Sequence, residues 1–320
     1  MDEPQGQPPH AGERLTREDV ERLIAENGGP EGLDLRGADL READLSELDL
    51  HGANLGGATL QGADLRWANL QGAHLLQASL QGANLSLAKL QEAYFIEADL
   101  QEADLWGSNT QGAYLFEANL RAAILSWANL ERADLRAADL RRARLAYASL
   151  RDAKLEDANW GDYVLGDEIY GRFDWAASAY RALKQWHTDA GMYDVAGEFH
   201  YREMEARSKL AWKERRRPYA LTLNALRFLY GYGERPERVI GWAAAVILGF
   251  ALGHWLVGTV AGGYWDALYY SAVSFTALGY GAWAPEPQGW AGRFLGVGES
   301  LLGVFMMALF LVTFTRKMTR

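Results

Sequence analysis

The sequence predicts a multidomain chain, with a coiled solenoid of short β-edges in its N-terminal half and an all-α membrane domain at its C-terminal end. Three observations predict this architecture. A five-residue pattern repeats without a break from Leu33 to Trp160. Two apolar stretches, Val239 to Val260 and Phe294 to Thr315, are each long enough to cross a bilayer as a helix. A shorter amphipathic segment, Tyr264 to Thr276, lies between them and leads into a glycine-containing loop.

Composition limits the class of protein. The formal net charge of −10 argues against nucleic acid as a partner, and the absence of cysteine excludes disulfides and thiolate sites. No nucleophile–base pair, phosphate-binding loop or strong metal-ligand cluster stands out, so we do not expect an enzyme or a cofactor. Residues 1–13 are polar and rich in Pro and Gly, which predicts a disordered tail.

A short capping helix is predicted within residues 14–32. Thr16 is the expected N-cap, Asp19 follows three residues later, and Gly28 ends the helix. A stack of coils leaves unpaired backbone at both ends, so each end needs a cover. We expect Val20, with Leu23 and Ile24 beside it, to cover the first coil.

The repeats cover residues 33–160. Leu stands at nearly every fifth position from Leu35 to Leu155, and the residue two positions earlier is usually Ala. A period of five fits neither the α-helix nor the strand, but it fits four short edges per coil, with a layer of Leu and a layer of Ala inside. This pattern resembles the pentapeptide-repeat family. The resemblance implies a right-handed quadrilateral β-helix.

Residues twenty positions apart would stack on one outer face of such a coil. One face carries apolar and aromatic residues in two parallel rows, which we expect to point outward and to bind another subunit or a protein regulator. These residues are His74, Leu76, Tyr94, Ile96, Tyr114 and Phe116. A second, broken row holds Trp67, Leu87, Trp127 and Tyr147. The alternative is that both rows are ordinary exposed residues.

A helical hairpin is predicted as the linker at residues 161–217. Gly191 ends its first helix, and its second helix runs from Val195 to Lys213. Glu198, His200 and Glu203 on the second helix are either a metal site or a polar face. The aromatic residues expected to cover the last coil are Tyr163, Tyr170, Phe173 and Trp175.

Residues 218–233 are mostly apolar and predict an interfacial slide helix that lies in the membrane plane. A third membrane span is the alternative, although the segment is short for one. Residues 234–320 then have the order helix, short helix, glycine loop, helix.

The loop resembles the selectivity filter of the two-transmembrane potassium channels. It reads Thr276, Ala277, Leu278, Gly279, Tyr280 and Gly281. The resemblance implies a homotetramer in a lipid bilayer, a re-entrant pore helix before the loop, and backbone carbonyls that bind dehydrated K⁺, with Na⁺ as the alternative ion. It implies no other metal. Because Ala277 stands where the family has Thr, the hydroxyl ligand of the innermost ion site is missing.

Other positions follow from the same resemblance. Val273 and Ala282 replace a pair of carboxylates behind the filter. Glu299 is expected to compensate by bonding a pore-helix hydroxyl, that of Ser271, Ser274 or Thr276; the alternative is that Glu299 reaches water. Gly303 matches the hinge glycine of the inner helix or, alternatively, allows close helix packing. The resemblance places Val304 and Met307 along the cavity, and Leu311 and Thr315 at the inner gate.

Basic residues indicate the orientation. Both apolar stretches have them on their outer flanks: Lys213, Arg215, Arg216, Arg217, Arg235, Arg238, Arg316, Lys317 and Arg320. Between the stretches only Arg293 is basic, so both termini are expected in the cytoplasm of a multi-pass protein of the plasma (inner) membrane. Two functions remain open: a potassium-selective channel regulated or assembled through its repeats, and a membrane-tethered recognition scaffold whose pore is closed or weakly selective.

Overall fold

The computed structural model describes residues 8–276 and 289–318. The chain divides into two units, Met1–Leu210 and Ala211–Arg320. The predicted filter residues from Ala277 to Ala282 lie outside the described residues.

Eight α-helices lie in the described part of the chain. They are α1 (Arg17–Asn27), α2 (Gly166–Ile169), α3 (Phe173–Asp189), α4 (Tyr193–Lys213), α5 (Arg217–Tyr230), α6 (Pro236–Val257), α7 (Tyr264–Thr276) and α8 (Gly289–Met318). A 3₁₀ turn, Gly231–Gly233, joins α5 to α6. The predicted hairpin is present as α3 and α4, and the predicted slide helix is present as α5; its place in the membrane plane stays a prediction.

The repeats form a stack of coils with twenty residues each. Asp34 pairs with Asn54, Asn54 pairs with His74, and parallel bridges of this kind continue to Asn159. We expected short strands, but within residues 8–276 each side of a coil is an isolated one-residue bridge. The reason is local: two of every five residues form a corner turn, closed by bonds such as the one from the Ala38 N–H to the Leu35 carbonyl at 3.2 Å. Too few residues remain for a longer ladder.

The interior of the stack is the predicted alternation of Leu and Ala layers. Leu75, Ala78 and Phe95 are fully buried, as are most of their counterparts in the other coils. Ala43, Ala148 and Ala158, near the two ends of the stack, are partly buried. Thr110 replaces one Leu and is also buried, because its hydroxyl donates to the Asn129 carbonyl at 2.8 Å. The Thr110 hydroxyl is therefore satisfied inside the core by a carbonyl of the next coil.

The second corner residue of each turn has a positive φ. Gly72 adopts φ 64 at no steric cost, but Glu102 (φ 59) and Trp127 (φ 64) adopt the same conformation. A residue with a Cβ is destabilised in this region by roughly 1 kcal/mol. At these corners, every residue other than glycine therefore reduces the stability of the repeat.

The N-terminal end of the stack is covered as predicted. Thr16 caps α1 by accepting from the Asp19 N–H, and Gly28 ends the helix with φ 78. Val20 is fully buried, and Leu23 and Ile24 pack against the core of the coils. Residues 8–13, part of the expected disordered tail, form turns, and the Gly12 N–H bonds to the Gly37 carbonyl at 2.8 Å.

Aromatic residues cover the C-terminal end of the stack, but they are only partly the predicted ones. Trp160 packs edge-on against Phe199 and His187 (ring centroids 5.2 and 5.9 Å), and Tyr163 packs on Phe199 from another side. Tyr170 is 71% exposed, so its predicted role as a cover is wrong. It follows directly after the short helix α2, and the α3–α4 pair fills the position that Tyr170 was expected to take.

In the second unit, α6, α7 and α8 pack on one another, and α5 lies against α6. The Trp242 indole N–H donates to the Phe228 carbonyl at 3.1 Å, which joins α6 to α5. Two helical segments are long and apolar enough to cross a membrane: Pro236–Val257, with mean hydropathy 1.8, and Gly289–Thr315, with mean hydropathy 2.1. These are the two apolar stretches that the sequence predicts as spans.

Candidate functional site

Two glycines let α8 lie directly on α7. A Cβ at Gly303 would overlap the backbone carbonyl of Phe275, and a Cβ at Gly296 would meet the Tyr270 hydroxyl at 2.5 Å. Neither glycine has a positive φ, and α8 is one continuous helix through Gly303. Of the two interpretations of Gly303, the structure supports close packing against the end of α7.

Glu299 on α8 is fully buried, with 0% of the residue exposed. Its Oε1 atom contacts the Ser271 hydroxyl of α7. The same hydroxyl lies 2.7 Å from the Ile247 carbonyl of α6. Glu299 is therefore the buried carboxylate of the two alternatives, and it bonds one of the hydroxyls that the sequence proposed.

His254 lies opposite Glu299 in the last turn of α6 and is also 0% exposed. Its Nε2 atom is 3.7 Å from Glu299 Oε2, and its Nδ1 atom is 2.7 Å from the Thr259 hydroxyl. The imidazole packs edge-on against Tyr270, with ring centroids 4.8 Å apart. Sequence reasoning did not assign this residue to the site, although an ionisable side chain within an apolar span is itself a signal.

The residues that lead into the loop are held by backbone bonds. Asp266 accepts from the Gly263 N–H at 2.8 Å and so stabilises the start of α7. At the other end, the Thr276 hydroxyl donates back into α7, to the Ala272 or Val273 carbonyl (3.0 and 3.1 Å). Ser300 of α8 donates to the Ser274 carbonyl at 3.0 Å, which ties the end of α7 to α8.

A second face of α8 carries the predicted cavity and gate residues. Val304, Met307, Leu311 and Thr315 are exposed in the single chain, whereas Glu299, Gly303 and Met306 are buried. The helix thus has one face for α6 and α7 and another, largely apolar face that the described protomer does not cover.

The outer face of the coils carries the predicted rows. The rings of His74, Tyr94 and Tyr114 stack in parallel, with centroids 4.6 and 4.7 Å apart. Leu76 is exposed, while Ile96 and Phe116 are half-buried, and Arg136 lies over the Phe116 ring at 5.8 Å. The rings of this row show their edges rather than their faces to solvent, since their faces pack on one another.

The second row occupies strained corners. Trp67, Leu87, Trp127 and Tyr147 all have φ between 60 and 64, the region that glycine adopts most easily. Gly107 occupies the matching corner of one coil. Trp67 is 59% exposed, and Trp127 stacks on Tyr147 at 4.6 Å. Folding does not require large side chains at these corners.

Glu203 belongs to an ion cluster rather than to a metal site. Arg181, Lys184 and Arg207 all lie within ion-pair distance of its carboxylate (3.1, 3.0 and 2.6 Å). Burial alone would raise the pKa of Glu203, but the neighbouring His200, Lys184 and Arg181 outweigh it and lower the pKa to about 2. Within residues 8–276 and 289–318, no three His, Asp or Glu residues are placed to hold a metal ion.

Comparison with known families identifies two parts of the chain, the repeats and the C-terminal helices. Residues 31–62, 58–95, 93–132 and 123–159 match pentapeptide repeats (8 copies), and residues 239–320 match an ion channel family. The class defined by the coil stack and the apolar helices is therefore a membrane protein with a repeat domain. The chain belongs to the pentapeptide-repeat proteins and carries an ion channel domain at its C-terminal end.

Three of the solved structures that resemble the chain are pentapeptide repeat proteins from cyanobacteria. HetL from Nostoc sp. strain PCC 7120, involved in heterocyst differentiation regulation, is 27% identical over 45% of this chain and 94% of its own, with a TM-score of 0.28. The protein alr5209 from Nostoc PCC 7120 is 32% identical over 36% and 84%, with a TM-score of 0.30. Rfr23 from Cyanothece 51142 is 37% identical over 32% and 63%, with a TM-score of 0.19. Comparison with curated proteins gave no match.

Proposed function

We propose that the protein is a homotetrameric, potassium-selective channel of the plasma (inner) membrane. The match of residues 239–320 to an ion channel family carries this proposal. In it, α6 and α8 are the two spans, α7 is a re-entrant pore helix, and residues 276–281 form the filter. The coil stack is a right-handed β-helix in the cytoplasm that serves assembly or regulation.

Selectivity for K⁺ is supported by the loop sequence. Gly279 and Gly281 allow backbone conformations in which successive carbonyls face one axis, and four such loops would replace the hydration shell of the ion. Ala277 lacks a hydroxyl, so the innermost ion site should bind weakly. K⁺ should permeate better than Na⁺, because the outer carbonyl rings do not depend on Ala277.

Assembly as a tetramer is supported by the uncovered face of α8. Val304, Met307, Leu311 and Thr315 follow helical spacing on that face. Four copies would bring this face around one axis, where the apolar side chains line a cavity and its inner end.

The orientation is supported by the basic residues that flank both spans, since such residues favour the cytoplasmic side. Arg235 and Arg238 lie at the start of α6 and the run from Lys213 to Arg217 precedes α5. Both termini and the coil stack are then cytoplasmic. The C-terminal end of α6, with His254, is then on the outer side.

Ion flux through vesicles tests the channel. The purified full-length chain is reconstituted into vesicles loaded with K⁺ or with Na⁺, and ion efflux is followed with ion-selective electrodes. We expect faster K⁺ than Na⁺ efflux, and Ala277→Thr should strengthen block by internal Ba²⁺. Equal fluxes of the two ions would reject the selectivity. No flux under any condition would favour a membrane-tethered recognition scaffold with a closed pore.

The repeat domain is proposed to present a partner surface made of the row His74, Leu76, Tyr94, Ile96, Tyr114 and Phe116. The surface would take another subunit or a protein regulator, and a regulator can shift the gate only by binding open and closed states differently. The strained second row supports a binding role for the outer faces, because its large side chains cost stability that glycine would avoid.

A charge substitution tests the partner surface. Ile96→Glu combined with Phe116→Glu should abolish regulation or assembly of the cytoplasmic domains while leaving the single-channel conductance unchanged. Gln71→Glu combined with Gln111→Glu is the matched control, because these residues hold the same repeat position on a neighbouring face. If both pairs behave like wild type in crosslinking and in open probability, the row is not a partner surface.

A further inference from the structure

A buried polar cluster joins all three helices of the second unit. It consists of His254 on α6, Ser271 on α7 and Glu299 on α8, with Thr259 just after α6. His254 is the sole histidine in residues 211–320 of the sequence. Among the described residues, neither His254 Nε2 nor Glu299 Oε2 has a hydrogen-bond partner, although both side chains are fully buried and the two atoms are 3.7 Å apart.

Counting hydrogens shows what these contacts need. The Ser271 hydroxyl has one hydrogen but lies within bonding distance of two oxygens, Glu299 Oε1 and the Ile247 carbonyl at 2.7 Å. A carbonyl can only accept, so both contacts are hydrogen bonds only if Glu299 carries a proton and donates it to Ser271. The Thr259 hydroxyl is 2.7 Å from His254 Nδ1 and 3.3 Å from the His254 carbonyl, so its hydrogen goes to the nearer Nδ1. The Nε2 hydrogen of the neutral imidazole then faces Glu299 Oε2 at 3.7 Å.

We propose that His254 is a positioning residue for the filter: its neutral imidazole packs against the protonated carboxyl of Glu299, and this contact holds α6 and α8 against α7 directly before the filter loop. The proposal rests on the proposed channel function. With the proton on the carboxyl and a neutral imidazole, neither group carries a charge. That neutrality lets two ionisable groups stay fully buried at membrane depth.

Changing the proton count would break this balance. A proton added to His254 would leave a buried positive charge behind the filter, and loss of the Glu299 proton would leave a negative one. The other groups that face the pair are the Thr259 hydroxyl after α6 and the Ser271 hydroxyl and Tyr270 phenol of α7. None of them is charged at neutral pH. Asp266, on the outer end of α7, is exposed and bonds Gly263 instead.

External acid should therefore reduce conduction. We expect K⁺ flux of the full-length protein in vesicles to fall at least about threefold when the external pH is lowered from about 7.5 to about 5.5, because an added proton would leave a buried charge. His254→Gln keeps an N–H donor but cannot gain a proton, so it should flatten this profile and retain more flux than His254→Leu. His51→Gln removes an exposed histidine of the coils and should behave like wild type.

A second measurement decides the link even if the chain conducts no ions. Thermal unfolding of the full-length protein in detergent is compared for wild type, His254→Leu, Glu299→Leu and the double variant. Direct coupling of His254 and Glu299 predicts that the double variant loses less than the sum of the two single shifts in melting temperature. Additive shifts overturn the proposal, as does an unchanged acid profile in His254→Gln. Absence of flux from the wild type would instead reject the channel function.

Discussion

The coil stack and the helical unit bury their chains by different means. In the stack, Leu80 and Leu100 occupy equivalent positions on the same side of successive coils, and both are fully buried. In the helical unit, the contact between α8 and α7 depends on one glycine, Gly303, and the polar cluster depends on one carboxylate, Glu299. Repetition makes each position of the stack resemble many others, whereas the helical unit has positions without a counterpart.

This difference predicts how each unit responds to substitution. A repeated contact should cost a similar amount wherever it is removed, because each coil rests on neighbours of the same kind. A contact made once should be lost completely when its residue changes. The following substitutions separate the two behaviours, from the largest expected effect to the smallest.

Gly303→Ala should have the largest effect. The added Cβ overlaps the Phe275 carbonyl, and since that atom belongs to the backbone, α8 must move away from α7. We expect a loss of at least about 4 kcal/mol of stability or no folded protein at all. Gly298→Ala in the same helix is the matched control, because nothing lies near its Cβ position. Thermal unfolding and yield of monodisperse protein measure both, and equal behaviour would refute the packing role.

Leu100→Ala should cost about 3 kcal/mol, the usual price of a cavity at a fully buried leucine. Leu80→Ala, one coil earlier on the same side of the stack, should cost the same within about 0.5 kcal/mol. Chemical unfolding of the full-length chain, followed by circular dichroism, gives both values. A large difference between the two would show that the coils are not equivalent.

Glu203→Gln should cost roughly 2 kcal/mol at neutral pH, since three cations lose their shared carboxylate. The pKa of Glu203 is lowered from 4.5 to about 2, so its stabilisation is present above about pH 4.5 and disappears as the pH falls toward 2. The variant should lack this pH dependence. Asp194→Asn, an exposed carboxylate of the same helix, should retain it. Thermal unfolding between these pH values is the measurement.

Trp67→Gly should have the smallest effect and the opposite sign. Glycine removes the strain of φ 62 at this corner, so stability should rise by about 0.5 kcal/mol after the entropy of the unfolded chain is considered. Trp106→Gly is the control, because Trp106 is also exposed but has no positive φ. It should gain nothing. A loss of stability in Trp67→Gly would mean that its side chain packs usefully on the stack.

Much of the first unit could be predicted from sequence, because its signals are local or repeated. The cap at Thr16 and the helix end at Gly28 follow from residue chemistry, and the inward Leu and Ala follow from the period. Tyr170 was wrongly predicted to cover the last coil. The five-residue repeat ends before Tyr170, so the sequence does not decide whether its ring packs on the coil or faces solvent.

The helical unit was less predictable, because its contacts join residues that are distant in sequence. The bond between Ser271 and Glu299 was one of three options, and the nearness of His254 to Glu299 depends on how α6 and α8 pack. A short motif alone does not determine the local structure either. Gly231, Tyr232 and Gly233 repeat the Gly-Tyr-Gly of the predicted filter, yet they form the 3₁₀ turn between α5 and α6.

The twenty-residue coil also predicts different effects for an insertion of five residues and an insertion of twenty. Because each side takes five residues, an insertion of five residues keeps every later Leu and Ala inward and leaves the core intact. The same insertion rotates every later outward residue by a quarter turn, so rows such as His74, Tyr94 and Tyr114 would be split between two faces. Gain or loss of a single repeat of five residues can therefore change which residues share an outer face without a penalty in folding. Gain or loss of a whole coil of twenty residues changes the length of the stack and preserves its rows.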